Sequence, residues 1–164
     1  MSSELRVDTI KLANGNTATA SGLGIDLGNV GKVLQIVQQS SSTRHATTST
    51  SYTEVITKAI TPISASSTIY VKFATRTYTA ATNTEHEVQL LRDTTVLDTY
   101  RGMYTTSGAT AQREFWDYYD SAHSTTSSIT YKFQHRTMNG SEVQINPNGA
   151  PDGDYYLTLM EYQA

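Results

Sequence analysis

The chain of 164 residues is long enough for one domain with a little extra. Hydrophobic residues (37%) and charged residues (16%) are both scarcer than in ordinary globular domains, and Ser and Thr fill roughly a quarter of the chain, which excludes a typical helical protein. The net charge of −3 is too small for disorder by self-repulsion, and the absence of cysteine excludes disulfides and thiol chemistry.

Residues 1–31 are predicted to form an extended N-terminal arm. Glycine and asparagine recur along it, and Leu5 and Val7 alternate with Arg6 and Asp8, the period of two that is typical of a strand. Ordering each residue costs roughly 1–2 kcal/mol, which so few apolar side chains cannot offset alone. The alternatives are a disordered tail and an arm ordered by partner chains, and we expect the second. The apolar positions assigned to attachment and trimerisation are Leu5, Val7, Ile10, Leu12, Leu23, Ile25 and Leu27.

Residues 32–164 are predicted to form one antiparallel β-sandwich, similar to a jelly roll. The eleven tyrosines, with the many Thr, Val and Ile residues, favour strands. Turn signals recur at short intervals between strand-like runs, which is the spacing of sandwiches. The predicted strands are 32–39, a bent strand within 45–60, then 68–79, 86–92, 95–101, 111–119, 127–136, 142–146 and 155–162.

The titratable residues form no catalytic or metal-binding pattern. None of the four histidines has a ligand spacing such as HxH or HExxH. His135 shares a strand face with Phe133 and is predicted to be packed or at an interface. The neighbours of His86, Glu85 and Glu87, lie on the opposite strand face from His86 and are predicted to be an exposed pair. Glu114 and Asp117 face opposite ways on a strand, which does not suit paired acid–base catalysis. We therefore predict no enzymatic activity, no metal and no cofactor.

The run Phe115, Trp116, Tyr118, Tyr119 is the most distinctive local feature. Because side chains alternate along a strand, these aromatics divide between two faces, of which one should enter the core. The other face could meet a neighbouring subunit or a carbohydrate through large rigid surfaces. The residues assigned to an interface or to glycan contact are Trp116, Tyr118 and Tyr119.

Four stretches of the sequence resemble virion-surface proteins of tailed phages that infect aquatic bacteria, cyanobacteria included. They are SELRVDTIKLANG in the arm, GKVLQIVQ at the start of the domain, TSTSYTEVITKAITPISASSTIYVKF, and the closing YYLTLMEYQA. In the last stretch Tyr162-Gln163 departs from the usual ending. The middle of the chain, from about Tyr78 to Gly149, lies outside the resemblance.

The resemblance implies a homotrimeric tail-fibre component on the virion surface, assembled in the host cytoplasm. The arm would join other virion proteins of the tail or capsid, and the sandwich would contact the host, including its surface glycans. A capsid decoration or cement protein is the first alternative, and a carbohydrate-binding module is the second. The charge pattern predicts no nucleic-acid partner, and the lack of a long apolar stretch predicts no membrane insertion.

Overall fold

The computed structural model describes residues 32–149, 151 and 153–163, so the predicted arm and its seven apolar positions lie outside the described residues. Within the described ranges the chain forms ten β-strands and no α-helix. The strands are β1 Val33–Ser41, β2 His45–Thr47, β3 Thr53–Ile60, β4 Thr68–Thr79, β5 Thr84–Arg92, β6 Thr95–Thr105, β7 Thr110–Asp120, β8 Ile129–Thr137, β9 Val143–Ile145 and β10 Tyr155–Tyr162.

The strands form two antiparallel sheets packed face to face. In the first sheet β1, β10, β4 and β7 lie side by side. On the side of β4 opposite β7, the short strand β9 pairs with the last part of β4, and β2 pairs with the other edge of β9. The second sheet has the order β3-β8-β5-β6. Successive strands pass back and forth between the sheets, which is the arrangement of a jelly roll. The predicted antiparallel β-sandwich is confirmed.

Alternating side chains locate the core between the sheets. Phe73 of β4 lies near its centre and stacks on Trp116 of β7 at 5.4 Å and on Phe133 of β8 at 4.5 Å between ring centroids. These contacts join the two sheets through large apolar surfaces. The buried core cluster comprises Val55, Ile56, Ile60, Ile69, Val71, Phe73, Val88, Leu90, Trp116, Ile129, Tyr131, Phe133, Ile145, Tyr155, Leu157 and Leu159.

The sandwich has two distinguishable ends. At the arm end, the backbone N–H of Gln163 donates to the carbonyl of Lys32 at 2.9 Å, so the chain enters the first sheet beside the end of β10. The far end is the opposite one, where β1 ends at Ser41 and β4 ends at Thr79. Inward-facing residues are mainly apolar towards the arm end and change to Thr and His towards the far end.

The predicted strand within 45–60 is two strands, β2 and β3, separated by a polar turn. The side-chain oxygen of Thr47 accepts a hydrogen bond from the N–H of Ser49, and the hydroxyl of Ser49 accepts one from the N–H of Ser51, both at 3.0 Å. Such local bonds to the backbone compete with strand pairing. The chain therefore turns between β2 and β3, where a single bent strand was predicted.

The predicted β5–β6 hairpin is confirmed, with Asp93 and Thr94 in its turn. Asp93 has a φ of 53°, a left-handed conformation that Asp tolerates better than most residues. Its backbone N–H donates to the carbonyl of Thr130 at 2.7 Å, and its carboxylate accepts the N–H of Thr130 at 2.9 Å. These bonds to the start of β8 explain why the turn forms without an Asn-Gly pair.

A buried carboxylate holds the arm end of the first sheet. Glu161 of β10 accepts hydrogen bonds from Ser67 Oγ at 2.6 Å, from Gln35 Nε2 at 2.6 Å, and from the N–H groups of Ile63 and Ser64 at 2.8 and 3.0 Å. Burial alone would raise the pKa of Glu161, but these hydrogen bonds lower it below its usual value. The charged side chain therefore fixes the β3–β4 loop against β1 and β10.

A second buried carboxylate joins the two sheets. Asp120, at the end of β7, accepts from Arg92 Nη1 of β5 at 2.7 and 2.8 Å and from the hydroxyl of Tyr131 of β8 at 2.6 Å. Charge-assisted bonds of this kind are stronger than neutral ones. The edge of the first sheet is thereby connected to the middle of the second.

Two neighbouring aromatic residues allow a direct test of which face of β7 is internal. Trp116 is 7% exposed and Phe115 is 64% exposed. We expect Trp116→Ala to lower the free energy of unfolding by about 3–5 kcal/mol, as for other buried aromatics, and Phe115→Ala to change it by less than about 0.5 kcal/mol. Urea unfolding of both variants at one protein concentration measures this difference. Equal losses would contradict the assigned faces.

Candidate functional site

The outer face of the first sheet is the candidate functional surface, because large apolar side chains lie on it without cover from the described residues. Ile36, Phe115, Tyr119 and Tyr156 are all exposed there. Each alternates along its strand with residues that face the core, so the face is fixed by the strand register. Exposed apolar sets on rigid elements mark interaction surfaces.

An apolar row crosses this face near the arm end. Strand pairing places Ile36, Met160, Tyr70 and Tyr119 opposite one another on β1, β10, β4 and β7. The rings of Tyr70 and Tyr119 lie 4.9 Å apart, and Tyr162 meets Tyr119 edge-on at 6.5 Å between centroids. We name these five residues the arm-end row.

A polar belt separates this row from the far end. Gln38, Thr158, Lys72 and Asp117 are paired across the same four strands. Gln38 Nε2 donates to Thr158 Oγ1 at 2.9 Å, and Lys72 Nζ lies 5.9 Å from the ring centroid of Phe115. The apolar row and the far end of the face are therefore distinct surfaces.

A groove of about 250 Å³ opens on the face near the far end. Tyr156, Ala74 and Phe115 form a row across β10, β4 and β7, and Arg76 is paired with Arg113 one step further on. We name this groove the far-end groove. Its lining residues are Ala74, Thr75, Arg76, Arg113, Phe115, Asn146, Asp154 and Tyr156.

The wall of the groove beside β4 is held by a buried amide residue. Asn146 has a φ of 53° and is almost fully buried. Its backbone N–H donates to the carbonyl of Arg76 at 2.8 Å, and its side-chain Nδ2 donates to the carbonyl of Ser42 at 2.9 Å. A neighbouring groove of about 340 Å³ shares Arg76 and is also lined by Tyr78, Ala111, Gln144, Pro147 and Asn148.

The structure changes the set of aromatic residues predicted from the sequence. Trp116 is a core residue stacked on Phe73, so it is not available to a partner or a glycan, and Tyr118 is partly buried against the core. Tyr119 lies on the outer face together with Phe115, which was not among the residues assigned to an interface or to glycan contact. Asp117 lies between Phe115 and Tyr119 on one strand face, and a charged residue there indicates that this face is outward. The other face also carries carboxylates, Glu114 and Asp120, so charge alone did not distinguish the two faces.

One of those carboxylates belongs to a buried polar cluster near the far end. His86 and His135 are fully buried with perpendicular rings 5.4 Å apart, and Glu114 lies beside them. His86 faces inward on β5, opposite its neighbours Glu85 and Glu87. The predicted exposure of Glu87 is wrong, because Glu87 is buried and accepts hydrogen bonds from Tyr52 and Arg136. Glu114 fits because position 102 is glycine: a Cβ there would lie 2.9 Å from Glu114 Oε2.

Both imidazoles are uncharged at neutral pH, and burial opposes ionisation of the Glu114 carboxyl group. Burial lowers the pKa of His86 to about 4, and burial with repulsion from His86 lowers the pKa of His135 to about 3. Burial also raises the pKa of Glu114, against hydrogen bonds from Gln112, Thr77 and the Met103 backbone. The 3.9 Å between His86 Nδ1 and Glu114 Oε2 is too long for a hydrogen bond, and the neutral imidazole makes no ion pair. The cluster is part of the interior and closed to a substrate.

The described part of the chain contains no group of three or more His, Cys, Asp or Glu residues that could hold a metal ion. None of its elements is a helix with the length and apolarity needed to cross a membrane.

No family model matches the chain, and no curated protein matches it significantly. Among solved structures, it is similar to one of the Gt strain of infectious bursal disease virus, with 11% identity, a TM-score of 0.48, and coverage of 96% of this chain and 43% of that one. It is also similar to a VP2 subviral particle of the same virus, with 12% identity, a TM-score of 0.46, and coverage of 96% and 42%.

This chain spans less than half the length of those proteins. At such low identities and TM-scores the likeness carries no argument for function. The class that the strand order itself defines is an all-β jelly-roll sandwich.

The buried histidines predict that acid destabilises the sandwich. The unfolded chain binds protons at these imidazoles near pH 6.5, whereas the folded chain does so only near pH 4 and pH 3, so stability falls as the pH drops below 6.5. Each histidine contributes about 1.4 kcal/mol per pH unit in this window. His45, whose pKa burial also lowers, acts in the same direction, whereas Glu114 opposes it.

Urea unfolding at pH 7, 6 and 5 measures this dependence. His135→Gln, which removes one titrating group, should reduce the slope by about half if the two imidazoles contribute equally. An unfolding free energy that stays constant from pH 7 to pH 5 would contradict the burial of neutral histidines.

Proposed function

We propose that this chain is a non-enzymatic structural protein of a virus particle. Its specific role is that of a homotrimeric tail-fibre component, anchored by residues 1–31, which presents the sandwich for host-surface contact. The sequence resemblance supports the virion assignment. The observation that carries the division of roles is the outer face of the first sheet, with an apolar row at the end where the arm enters and a charged aromatic groove at the other.

The arm-end row suits attachment and trimerisation. The chain reaches the sandwich at Lys32, which is hydrogen-bonded beside β10, and Tyr162 of the row is the last residue of that strand. The apolar arm residues Leu23, Ile25 and Leu27 precede this point by only a few positions. Covering the exposed row with such side chains, from the same or a neighbouring copy, would stabilise the assembly by roughly 25 cal/mol for each Å² of apolar surface removed from water.

The far-end groove suits contact with the host. It combines aromatic rings with charged and amide side chains on a rigid sheet, and it lies on the end of the sandwich away from Lys32. An arm fixed in the particle would leave this end pointing outward. The arrangement therefore supports presentation of the groove to a surface outside the virion.

The groove alone also favours the second alternative, a carbohydrate-binding module. That function requires no arm and no trimer. A capsid decoration protein remains the first alternative, in which the arm would clamp capsid subunits. Copy number separates the two virion roles: threefold or sixfold copies at the tail identify a fibre, whereas hundreds of copies over the shell identify decoration.

We expect the double substitution Leu5→Asp and Val7→Asp to abolish incorporation into particles, because two charges replace apolar contacts of the arm. The sandwich should remain folded, since these residues precede it. Mass spectrometry of purified particles measures incorporation, and circular dichroism of the isolated protein measures folding. Ser3→Asp with Thr9→Asp adds the same charges at polar positions and serves as the control. Normal incorporation of the first variant would refute the role of the arm.

Deleting residues 1–31 is expected to convert a trimer into a folded monomer, because the apolar residues assigned to trimerisation lie in the arm. Light scattering gives the mass of the full chain, expected to be three times that of one chain, and of the truncated chain. A truncated protein that stays trimeric would show that the arm is not needed for trimerisation. A full-length monomer would favour the carbohydrate-binding module.

A further inference from the structure

We propose that residues 23–27 bind across the arm-end row of their own chain, with Leu23, Ile25 and Leu27 against its exposed apolar side chains. This inference rests on the proposed function, because it names the occupant of the row to which attachment is assigned. It divides the arm into two parts. Residues 23–27 cover the sandwich, and the apolar residues nearer the N-terminus are left for trimerisation and for anchoring in the particle.

The arm-end row is an apolar surface that the described residues leave uncovered. Ile36 and Tyr119, on the outermost of its four strands, are both exposed. Val33, which is also exposed, lies opposite Tyr162 in the β1–β10 pairing and widens the apolar surface towards the arm end. The polar belt limits the surface on its other side. Exposed apolar surface with a polar rim is typical of an interaction site.

The sequence of residues 23–27 matches the row in pattern and in length. In an extended segment its three apolar side chains point to one side, whereas Gly24 and Asp26 point to the other. Four residue steps of about 3.3 Å place the first and last apolar residues about 13 Å apart. The row crosses four strands, whose three spacings of about 4.8 Å add up to about 14 Å. All three apolar side chains can therefore contact the row while Asp26 stays in water.

The connection to β1 is long enough for the same chain to supply the segment. β1 begins directly after Lys32, and Ile36 follows Lys32 by four residues. Those four residue steps span at most about 14 Å, and the five steps from Leu27 to Lys32 span up to about 17 Å when extended. Leu27 can therefore reach Ile36, provided that the chain reverses its direction before β1.

The sequence of this connection favours such a reversal. Gly28, Asn29 and Gly31 are of the residue types that occur most often in turns, because glycine and asparagine tolerate a positive φ. A short connection also keeps the segment near its own sandwich at a high effective concentration, about millimolar for short flexible linkers. The same chain is therefore favoured over a neighbouring copy or another virion protein as the source of the cover.

Disulfide trapping in the full-length chain tests the proposal, because a chain without native cysteine allows only the introduced pair to form. The trapping pair is Leu23→Cys with Tyr119→Cys, two positions that meet at the β7 end of the row in the proposed arrangement. The control pair is Leu23→Cys with Ala59→Cys. Ala59 is exposed near the same end of the sandwich, on the outer face of the second sheet. Mass spectrometry of unreduced peptides after mild oxidation measures each disulfide.

We expect the trapping pair to form an intramolecular disulfide in about tenfold higher yield than the control pair, because binding raises the effective concentration of one thiol near the other. Gel electrophoresis without reductant separates this product from chains that are linked to one another. A disulfide between two chains would mean that a neighbouring copy occupies the row, and it would overturn the proposal. Equal yields for the two pairs would also overturn it.

Oxidation of methionine by peroxide provides a second test, which needs no cysteine. Met160 belongs to the arm-end row, whereas Met138 is exposed outside it. The test variant of the full-length chain combines Leu23→Asp, Ile25→Asp and Leu27→Asp. We expect peroxide to convert Met160 to its sulfoxide about fivefold faster in this variant than in the unaltered chain, because the cover is lost. Met138 should react at an unchanged rate.

A second triple variant provides the matched control for this oxidation. Thr17→Asp, Thr19→Asp and Ser21→Asp add three charges with the same spacing directly before the segment, and they should leave the oxidation of Met160 unchanged. Met103, which is buried, reports in both variants that the sandwich remains folded. If Met160 reacts at the same rate in the test variant as in the unaltered chain, the segment does not cover the row.

Particles distinguish failure of this proposal from failure of the proposed function. If the trapping pair forms no intramolecular disulfide but Leu5→Asp with Val7→Asp abolishes incorporation, the assignment of the segment fails and the virion role stands. If the intramolecular disulfide forms but the unaltered chain is absent from particles, the virion role fails and the assignment of the segment stands.

Discussion

The uninterrupted pairing of β4 with β7 is the constraint on which the rest of the structure depends. It runs from Ile69 opposite Asp120 to Thr79 opposite Thr110 with no shift in register. Because side chains alternate strictly, this one register sends Trp116 inward to the core and Phe115 outward to the groove. A slip by one residue would exchange the two faces, exposing the core aromatics and burying the outer charges. The core and the candidate surface are therefore two consequences of the same hydrogen-bonded ladder.

The buried polar groups of the sandwich are hydrogen-bonded to different extents at its two ends. Near the arm end, Asp120 and Glu161 are fully supplied with hydrogen-bond donors, so their charges hold strands together. Near the far end, His86, His135 and Glu114 have buried atoms without partners among the described residues. Unsatisfied buried groups cost stability, while satisfied ones specify a unique arrangement. The half of the interior near the arm end is therefore the one whose buried polar groups are better satisfied.

Alternation in the sequence was sufficient to predict β4 and β10 with their observed bounds, because each strand has one clearly apolar face. It was insufficient for β7, where charged residues occupy both faces: Arg113 and Asp117 outward, Glu114 inward. The inward position of Glu114 depends on the absence of a side chain at Gly102, a residue of another strand. In the same way, the Arg76–Arg113 pair exists only through the register of two strands distant in sequence. Features that depend on residues distant in sequence cannot be predicted from local sequence patterns. Strands and two-residue turns can, because neighbouring residues determine them.

The hydrogen bond between Gln163 and Lys32 has a consequence for how the far end can vary. Both described chain ends lie on one side of the sandwich, and the connections after β4, β6 and β8 all lie on the other. Lengthening such a loop costs only about 0.6 kcal/mol of closure entropy for each doubling of its length. Insertions there would leave the β4–β7 ladder and the arm end of the sandwich intact. The fold thus separates the side where β1 and β10 meet at Lys32 and Gln163 from a side whose loops can diversify at little cost in stability.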